Sequence, residues 1–367
     1  MTAPAVPGGV VAEFGTGYLA TRVLTAERGY LWCRGPGPAR PRPFTPVPDA
    51  VADASRAWTA HGARVVLGAP GRPYPEDRRP DRTRGDAASE RHYRVPAPYS
   101  LGHVLGNHAA APLPWAALPR LLHQVGTVLR RVHTAFADSP VPGGPAGAAR
   151  VAGWLAGTPV TPAAGRLRQE ALARLGGARM RRAAEWCADL AAGGAGERPV
   201  LLLGGVSLGS VIPSPRGDAC AVLAGEELAT GRAAFDLGWT VGELAEFRLL
   251  HFTDPGSGAA AEHCARAARA LLSGYATATD PAGPRPGPAD TRPGPADPGP
   301  DLDAVARSAV LRVLAHGVDY AAFVGWRDQL TSYLDVVAGL LDHPLGTIEG
   351  PPGAPAGRRT GPGTEEQ

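Results

Sequence analysis

Residues 201–239 read LLLGGVSLGSVIPSPRGDACAVLAGEELATGRAAFDLGW, and this stretch decides the fold of the chain. Two short apolar segments belong to it: Val200–Leu203 at its start and Cys220–Leu223 in its middle. Short apolar runs bounded by Gly and polar residues predict buried strands. Each segment runs into a loop, and the second loop leads into FDLGW at residues 235–239. The two loops are therefore where reactive side chains are expected.

The length and the basic residues of the chain limit its chemistry. A chain of 367 residues can bury a sizeable core and suits two lobes. All 37 basic residues are Arg, since the sequence contains no Lys. Chemistry that needs a Lys amine, such as a Schiff base or an ammonium on a phosphate, is therefore excluded. An Arg side chain binds phosphate but does not give up its proton.

The charge pattern and the cysteines exclude several classes of partner. The net charge is +3 and no basic stripe with interleaved aromatics occurs, so we expect no nucleic-acid partner. No run of about 18 apolar residues occurs and no signal-peptide pattern opens the sequence, so we expect no membrane partner and no secretion. The four Cys residues lie far apart without CxxC spacing, which favours buried free thiols and a reducing cytoplasm.

Residues 1–105 are predicted to form a β-rich N-terminal lobe. Residues 10–34 read as a Gly-interrupted meander, with a turn at Gly15-Thr16-Gly17. A Pro-rich loop, a helix over 49–61, a strand over 63–67 and a final strand over 92–105 are expected to follow. Residues 70–92 are charged and Pro-rich without apolar periodicity, which predicts a mobile surface insertion.

Residues 106–345 are predicted to form a helical C-terminal lobe. Apolar residues recur every three or four positions over 115–135, which indicates one apolar face of a long helix. Further helices are expected over 168–192, 258–279, 303–324 and 327–341. Residues 280–300 contain two copies of RPGPAD and read as an extended Pro/Gly linker. Residues 346–367 are expected to be a disordered tail.

This order of elements and the two loops resemble the aminoglycoside phosphotransferase and choline kinase-like family over roughly residues 10–345. The resemblance implies an α+β, bilobal, protein kinase-like fold. In that family the first loop reads roughly HGDxxxxN, and the second carries a metal-binding Asp. Here Leu203 stands at the His position, Gly205 at that of the Asp base and Ser210 at that of the Asn. Ala224 stands at the position of the metal-binding Asp.

The same resemblance assigns roles to residues outside the degenerate positions. Gly15, Thr16 and Gly17 would form a lid over a nucleotide, although Gly is also the ordinary residue of a hairpin turn. Arg34 in YLWCR would contact phosphates, or else be solvated at a strand end. Glu226 would be a lone metal ligand, or else a carboxylate of the loop.

Two further side chains have roles that do not require phosphoryl transfer. Asp236 in FDLGW matches an Asp that supports the catalytic loop, where we expect it to accept hydrogen bonds from loop amides. His133 is expected to pack or to cap its helix. His316 lies in a helical run beside Asp319 and Tyr320, facing a possible cleft in which it would contact a substrate.

The missing groups argue against ordinary phosphoryl transfer, which relies on positioning and on neutralising charge. Loss of a general base costs about 10²–10⁴ in rate, and loss of an electrostatic stabiliser costs about 10²–10³ more. We therefore expect a pseudokinase-like protein. Similar proteins with eroded loops accompany enzymes that modify ribosomally made peptides of the lanthionine and thioamide type. The resemblance thus implies a peptide substrate or a partner enzyme of the same pathway.

Two alternatives remain at this point. The first is an active but atypical phosphotransferase acting on a peptide Ser/Thr or on a small-molecule hydroxyl, with Glu226 on the metal and Arg34 on the phosphates. The second is a regulator that only binds nucleotide. ATP and Mg²⁺ are cofactors under these alternatives alone, and nucleotide binding discriminates them from a pure scaffold.

Overall fold

A computed structural model describes residues 8–71, 90–107, 112–158, 161–192, 198–252, 258–278 and 299–349. The N-terminal part is built on an antiparallel sheet in the order β1-β2-β3-β7-β6. Its strands are β1 (Val10–Gly15), β2 (Leu19–Thr25), β3 (Tyr30–Pro36), β6 (Ala69–Gly71) and β7 (Glu90–Val95). One short helix, α1 (Asp49–Ser55), follows the Pro-rich loop. The predicted meander over residues 10–34 is therefore present.

The inner face of this sheet is apolar because side chains alternate between the two faces of a strand. Trp32 and Tyr93 lie opposite each other on β3 and β7 and are both almost completely buried. They pack with Val23, Val95 and residues of strand β10 (Cys220–Ala224) in a small core of their own. This core attaches the antiparallel sheet to the strands that carry the two loops.

A second sheet joins the N-terminal and C-terminal parts. It has the order β4-β5-β10-β9 and includes β4 (Thr59–Ala60), β5 (Ala63–Leu67) and β9 (Val211–Pro213). Strand β5 pairs in parallel with β10, with Ala63 opposite Cys220 and Leu67 opposite Ala224. Such strands are covered on both faces, which is why both read as apolar runs rather than as alternating patterns. The strand predicted over 63–67 thus belongs with the C-terminal loops.

The C-terminal part is mostly helical and contains the main hydrophobic core. Its bounds are α2 (Leu101–Gly106), α3 (Ala117–Thr134), α4 (Ala146–Leu155), α5 (Pro162–Ala192), α6 (Ala234–Phe252), α7 (Gly258–Thr277), α8 (Leu302–Phe323), α9 (Gln329–Asp342) and α10 (Gly346–Glu349). Two short strands, β8 (Val200–Leu202) and β11 (Ala229–Gly231), pair beside them. The predicted α+β class, with an antiparallel sheet first and helices after it, is confirmed. Within these residues, no helix is both long and apolar enough to cross a membrane.

Several predicted boundaries differ in the structure. Residues 92–105 do not continue as one strand, because β7 ends at Val95 and α2 starts at Leu101 behind the cap of Ser100. The helix expected over 49–61 ends at Ser55. Residues 346–349, which the sequence places in a disordered tail, form a helix because Ile348 is buried against the core.

Most of the predicted insertion, linker and tail lies outside the described residues. Only residues 70–71 and 90–92 of the predicted insertion 70–92 are described, and they form parts of strands β6 and β7. Of the predicted linker 280–300, only residues 299–300 are described, and the rest of the tail begins at residue 350.

Helices α3 and α7 approach each other closely through glycines. A Cβ at Gly274 would lie 2.0 Å from the carbonyl oxygen of His123, and one at Gly126 would lie 2.0 Å from that of Leu271. Both contacts are with backbone, which cannot rotate away. This reciprocal pair sets the distance between the two helices.

We expect Gly274→Ala to lower the free energy of unfolding by about 1–3 kcal/mol, since overpacking forces the helices apart. Gly339→Ala is the matched control, because Gly339 also lies in a helix but has no atom within 4 Å of its Cβ position. There the gain in helix propensity of about 0.5–1 kcal/mol should dominate. Urea unfolding of both variants checks this, and equal effects would contradict the close approach.

Candidate functional site

The first loop is held in place by a buried carboxylate. Asp236 at the start of α6 is fully buried, and it accepts hydrogen bonds of 2.7 Å from the N–H groups of Leu203 and Gly205. His133 on α3 lies 3.2 Å from the same carboxylate through Nε2, and its Nδ1 lies 3.0 Å from the hydroxyl of Tyr275. Tyr275 thus orients His133, and His133 orients Asp236. We expected Asp236 to support loop amides, and this is the role its contacts describe.

The position of the expected general base is filled by another side chain. Gly205 has a φ of +95° and Gly204 a φ of +94°, a region that residues with a side chain rarely adopt. A Cβ at Gly205 would lie 2.7 Å from Cδ1 of Trp239. Its neighbour Gly204 is equally confined, since a Cβ there would lie 2.0 Å from the carbonyl oxygen of Glu227. The two glycines therefore give this loop its backbone shape, and the indole of Trp239 packs directly against Gly205.

The second loop is held in place by hydrogen bonds from the backbone of the N-terminal part. Strand β10 ends at Ala224, whose carbonyl oxygen accepts a hydrogen bond from Gly68 N–H at 3.0 Å. The carbonyl oxygen of Glu226 accepts another from Thr45 N–H, also at 3.0 Å. Ala224 itself is buried and offers only a methyl group. The loop thus presents the side chains of Glu226 and Glu227 in a fixed direction.

Arg34 on β3 joins the two loops. Its guanidinium donates hydrogen bonds to Oε1 of Glu226 at 3.1 Å, to Oγ of Ser210 at 2.9 Å and to the carbonyl oxygen of Gly209 at 2.8 Å. The side chain of Arg34 is 5% exposed and that of Glu226 is 12% exposed, so the ion pair is shielded from water. The ring of Trp32 lies 5.6 Å from the guanidinium carbon. Arg34 is therefore bound within the protein and is not solvated at a strand end.

These contacts test whether the residues fit Mg²⁺ and a nucleotide. Mg²⁺ is bound in proteins by carboxylates and other oxygen atoms. The oxygens of Glu226, Ser210 and Gly209 all accept from Arg34, which is a permanent cation because Arg does not deprotonate in proteins. Among the described residues, no group of three His, Cys, Asp or Glu side chains is arranged to hold a metal ion. The residues present do not fit the metal.

The glycine turn between β1 and β2 is bound on two sides by this chain. The N–H of Gly17 donates to the carbonyl oxygen of Phe323, at the end of α8, at 2.9 Å. From the Pro-rich loop, Ala39 N–H donates to the carbonyl oxygen of Gly17 at 2.7 Å. A Cβ at Gly37 would lie 2.3 Å from that same oxygen, so the loop passes directly against the turn. The turn of Gly15, Thr16 and Gly17 thus contacts the Pro-rich loop and the C-terminal part through Gly17. The lid hypothesis places a nucleotide at this turn.

A buried charged network beside the turn links both parts of the molecule. Tyr18 lies between the guanidinium groups of Arg40 and Arg150, each 4.2 Å from the ring centroid. Arg40 donates to Glu227 at 2.7 Å, and Arg150 pairs with Asp319 at 2.9 Å. The hydroxyl of Tyr18 donates to Glu227, and burial together with that carboxylate raises the pKa of Tyr18 well above its usual range. Tyr18 is therefore a neutral donor that connects β2 to the second loop.

This network could not be predicted from the sequence, because its paired residues lie far apart along the chain. Arg40 lies in a Pro-rich loop and Arg150 in α4, whereas their acidic partners follow 187 residues after Arg40 and 169 residues after Arg150. No local pattern marks such pairs. The one available signal was Tyr18 directly after the glycine turn.

A cavity of about 580 Å³ opens between helices α6, α8 and α9. Its lining includes Glu246, Leu249, His316, Tyr320, Leu330 and Tyr333. Glu246 accepts a hydrogen bond from the hydroxyl of Tyr333 and lies beside Nδ1 of His316. Burial and the Glu246 carboxylate raise the pKa of Tyr333 well above its usual range, so its hydroxyl stays a donor. His316 thus lies at the wall of this cavity, with about half of its side chain exposed.

A chain of charges connects this cavity to the first loop. Arg312 on α8 lies 3.5 Å from Glu246 and donates to Glu243 at 2.6 Å. Glu243 accepts a hydrogen bond of 2.9 Å from the hydroxyl of Ser207. Burial would lower the pKa of Arg312, but Glu243 and Glu246 outweigh it and raise that pKa. The helical cavity and the loop therefore share one rigid ionic framework.

Comparisons with known proteins find likeness in structure only. No protein-family model and no curated protein matches the sequence. Among solved structures, the chain is similar to a spectinomycin phosphotransferase in complex with ADP and spectinomycin, with a TM-score of 0.47, 9% identity and coverage of 91% of this chain and 92% of that one. It is also similar to a glucosamine kinase, with a TM-score of 0.41, 18% identity and coverage of 92% and 81%.

A third similar structure is a choline kinase from Cryptosporidium parvum, with a TM-score of 0.43, 11% identity and coverage of 93% and 88%. All three are named as kinases or phosphotransferases, the class of protein that the sequence resembles. With TM-scores below 0.5, these likenesses transfer neither substrate nor activity to this chain.

We expect Gly205→Asp to leave ATP turnover at background. The new side chain combines a left-handed backbone with a clash against Trp239, and should cost about 2–4 kcal/mol of stability. Gly143→Asp is the control, because Gly143 has a φ of +85° but no atom within 4 Å of its Cβ position. It should lose only the backbone cost of about 1–2 kcal/mol. Chemical unfolding and an ADP-release assay measure both effects, and a gain of turnover in Gly205→Asp would contradict this account.

We expect Arg34→Met to lower the free energy of unfolding by about 3–5 kcal/mol, because it leaves Glu226 buried without its cation. The double variant Arg34→Met with Glu226→Gln should recover a large part of that loss, since no uncompensated charge remains. Arg198→Met breaks a solvent-exposed pair with Asp138 and should change stability by less than about 1 kcal/mol. A double-mutant cycle in urea that gives purely additive effects would show that the buried pair is not coupled.

Proposed function

We propose that this protein is a kinase-fold binding protein of the pseudokinase type, which holds a peptide substrate or a partner enzyme during modification of a ribosomally made peptide of the lanthionine type. The observation that carries the first half of this proposal is the position of Arg34. Its guanidinium, a permanent cation, donates hydrogen bonds to the oxygens of Ser210, Gly209 and Glu226 that a metal ion would require.

The first loop supports the same conclusion independently. Phosphoryl transfer needs a carboxylate near the attacking hydroxyl and neutralisation of charge on the phosphates. Gly205 supplies no carboxylate, and the indole of Trp239 fills the space where one would lie. Asp236 nevertheless keeps the loop in shape through two amide hydrogen bonds. A loop that is rigid but without reactive groups suits recognition better than catalysis.

The peptide half of the proposal is supported by the cavity between α6, α8 and α9. Its volume of about 580 Å³ lies within the range of about 300–1,000 Å³ that is common for ligand pockets. Leu249, Leu330 and Tyr320 make its walls apolar, while Glu246 and His316 supply fixed polar atoms. Such a cavity suits an apolar or aromatic side chain of a peptide. The family resemblance of the sequence supports the proposal that this peptide is ribosomally made.

An atypical phosphotransferase is the alternative, and it makes a specific demand on the site. Glu226 would have to leave Arg34 in order to bind Mg²⁺, and Arg34 would then be free for phosphates. The cost of separating a buried pair is several kcal/mol, which nucleotide and metal together would have to supply. The regulator that only binds nucleotide makes the same demand if its binding depends on Mg²⁺.

Nucleotide binding separates these functions. We expect isothermal titration with millimolar ATP, with and without Mg²⁺, to show no Mg²⁺-dependent binding in the unmodified protein. The Glu226→Ala variant should behave in the same way. Mg²⁺-dependent binding that Glu226→Ala abolishes would overturn the pseudokinase proposal in favour of the phosphotransferase. Binding of ATP alone, independent of Mg²⁺ and Glu226, would favour the nucleotide-binding regulator.

Peptide binding tests the cavity directly. The probe is a fluorescein-labelled synthetic leader peptide of the lanthionine type. Val336→Arg places a charge at the rim of the cavity and should weaken binding at least about 10-fold, equivalent to 1.4 kcal/mol. Val324→Arg is the control, because Val324 is also exposed but lies outside the cavity lining. If both variants bind the peptide equally well in a polarisation titration, the cavity is not the binding site. If the unmodified protein does not bind the peptide, peptide binding itself is contradicted.

The cysteines bear on where the protein works. All four are free, and we propose a cytoplasmic location on that basis together with the sequence.

A further inference from the structure

Three aromatic rings stand together in the wall of the cavity between α6, α8 and α9. His316 and Tyr320 belong to α8, and Tyr333 belongs to α9. The His316 ring lies 6.2 Å from that of Tyr333 at 77° and 6.4 Å from that of Tyr320 at 60°, between centroids. A Cβ at Gly317 would lie 3.3 Å from Cδ1 of Tyr333, so the Tyr333 ring packs close to α8. Aromatic rings prefer such edge-to-face contacts, so this wall suits a further aromatic ring.

The carboxylate in the wall of the cavity is bound by this chain on both oxygens. Oε1 of Glu246 accepts a hydrogen bond from the hydroxyl of Tyr333 and lies 2.5 Å from Nδ1 of His316. Oε2 of Glu246 lies 3.5 Å from the guanidinium of Arg312. The Glu246 side chain is only 7% exposed. A ligand ammonium would have to compete with all three donors, so this carboxylate does not select a cation.

The charges at this end of the cavity balance one another. Arg312 pairs with Glu243 at 2.6 Å and with Glu246 at 3.5 Å. Arg327 is exposed and adds a second positive charge to the lining. Two carboxylates thus face two guanidinium groups. A neutral ligand fits this balance, because burying a charge without a partner is costly.

His316 offers one ring nitrogen to a ligand. Its Nδ1 faces Glu246, and an ionised carboxylate only accepts hydrogen bonds, so we assign the proton to Nδ1. The neutral imidazole then has a lone pair on Nε2, at the other side of the ring. About half of the His316 side chain is exposed, and it lines the cavity. The cavity therefore presents a hydrogen-bond acceptor beside its aromatic wall.

We propose that this cavity binds a neutral aromatic group that carries one hydrogen-bond donor, with the indole of a Trp side chain as the best fit. The indole N–H only donates, and it would donate to Nε2 of His316 while the ring packs against Tyr320 and Tyr333. The proposal rests on the proposed peptide binding, since the indole would belong to the bound peptide. It goes further by naming the side chain that the cavity selects.

Small probes test this selection without a peptide. The first is N-acetyl-L-tryptophanamide, and the second is the same amide with benzothiophene in place of indole, so that sulfur replaces the N–H. We expect the tryptophan amide to bind the unmodified protein about 5-fold more tightly in a ligand-observed NMR titration, which is the effect of one net hydrogen bond. Tryptamine, an indole with an ammonium, should bind no more tightly than the tryptophan amide. Equal binding of the two amides, or tighter binding of tryptamine, would overturn the proposal.

A His316→Phe variant assigns the preference to Nε2. Phe keeps a ring but has no acceptor, so the 5-fold preference should fall to about 1-fold. His343→Phe is the matched control, because His343 is exposed at the end of α9 and outside the cavity lining. It should keep the full preference. Thermal unfolding shows whether each variant is folded. A folded His316→Phe protein that still prefers indole would contradict the role of His316, and the two amides decide in the unmodified protein if this variant does not fold.

The same measurements distinguish a failure of this inference from a failure of the proposed function. If the tryptophan amide binds with the expected preference but the labelled leader peptide does not bind, the cavity selects indole and the peptide function is contradicted. If the leader peptide binds and Val336→Arg weakens it, while the two amides bind equally, the peptide function stands and the selection of indole is overturned.

Discussion

The ion pair between Arg34 and Glu226 is the interaction on which the arrangement of both loops depends. Arg34 reaches from the N-terminal sheet into the C-terminal part and binds both loops, through Gly209 and Ser210 in the first and Glu226 in the second. Removing either partner would leave a charge in a place that water barely reaches, so the two residues constrain each other. The pair thereby fixes the distance between β3 and the loops.

The features that remain around this pair are those that give the loop its shape. Asp236, His133 and Tyr275 form a fully buried chain of hydrogen bonds under the first loop. Buried polar networks are costly unless every member finds a partner, and here the members satisfy one another. Glycines at 204 and 205 then allow the loop to turn tightly beneath Glu227 and Trp239. The result is a loop backbone whose shape is fixed by buried hydrogen bonds and by packing.

How much of this was predictable depended on whether the signal was local. The meander, the long helix over 115–135 and the support from Asp236 could be read from apolar periodicity and from FDLGW. The parallel pairing of β5 with β10 could not, because two short apolar runs 157 residues apart in the sequence carry no mark of their partner. The contacts of Arg40, Arg150 and Trp239 could not be predicted either, since their partners come close only in the folded structure. The sequence predicted which reactive groups are missing, and the structure added the contacts that Arg34 and Trp239 make at those positions.

The contacts around the glycine turn and the two loops also limit movement between the N-terminal and C-terminal parts. In an active kinase the lobes open and close around a nucleotide, and such motion requires a cleft whose contacts can be exchanged. Here the contacts are internal: Gly17 donates to Phe323, Tyr18 lies between two guanidinium groups, and Arg34 holds both loops. Opening would break several buried charge pairs at once and expose no replacement partners. A rigid connection between the N-terminal and C-terminal parts is therefore the physical consequence of these contacts. A rigid surface is an advantage for binding, because little conformational entropy is lost when a partner docks.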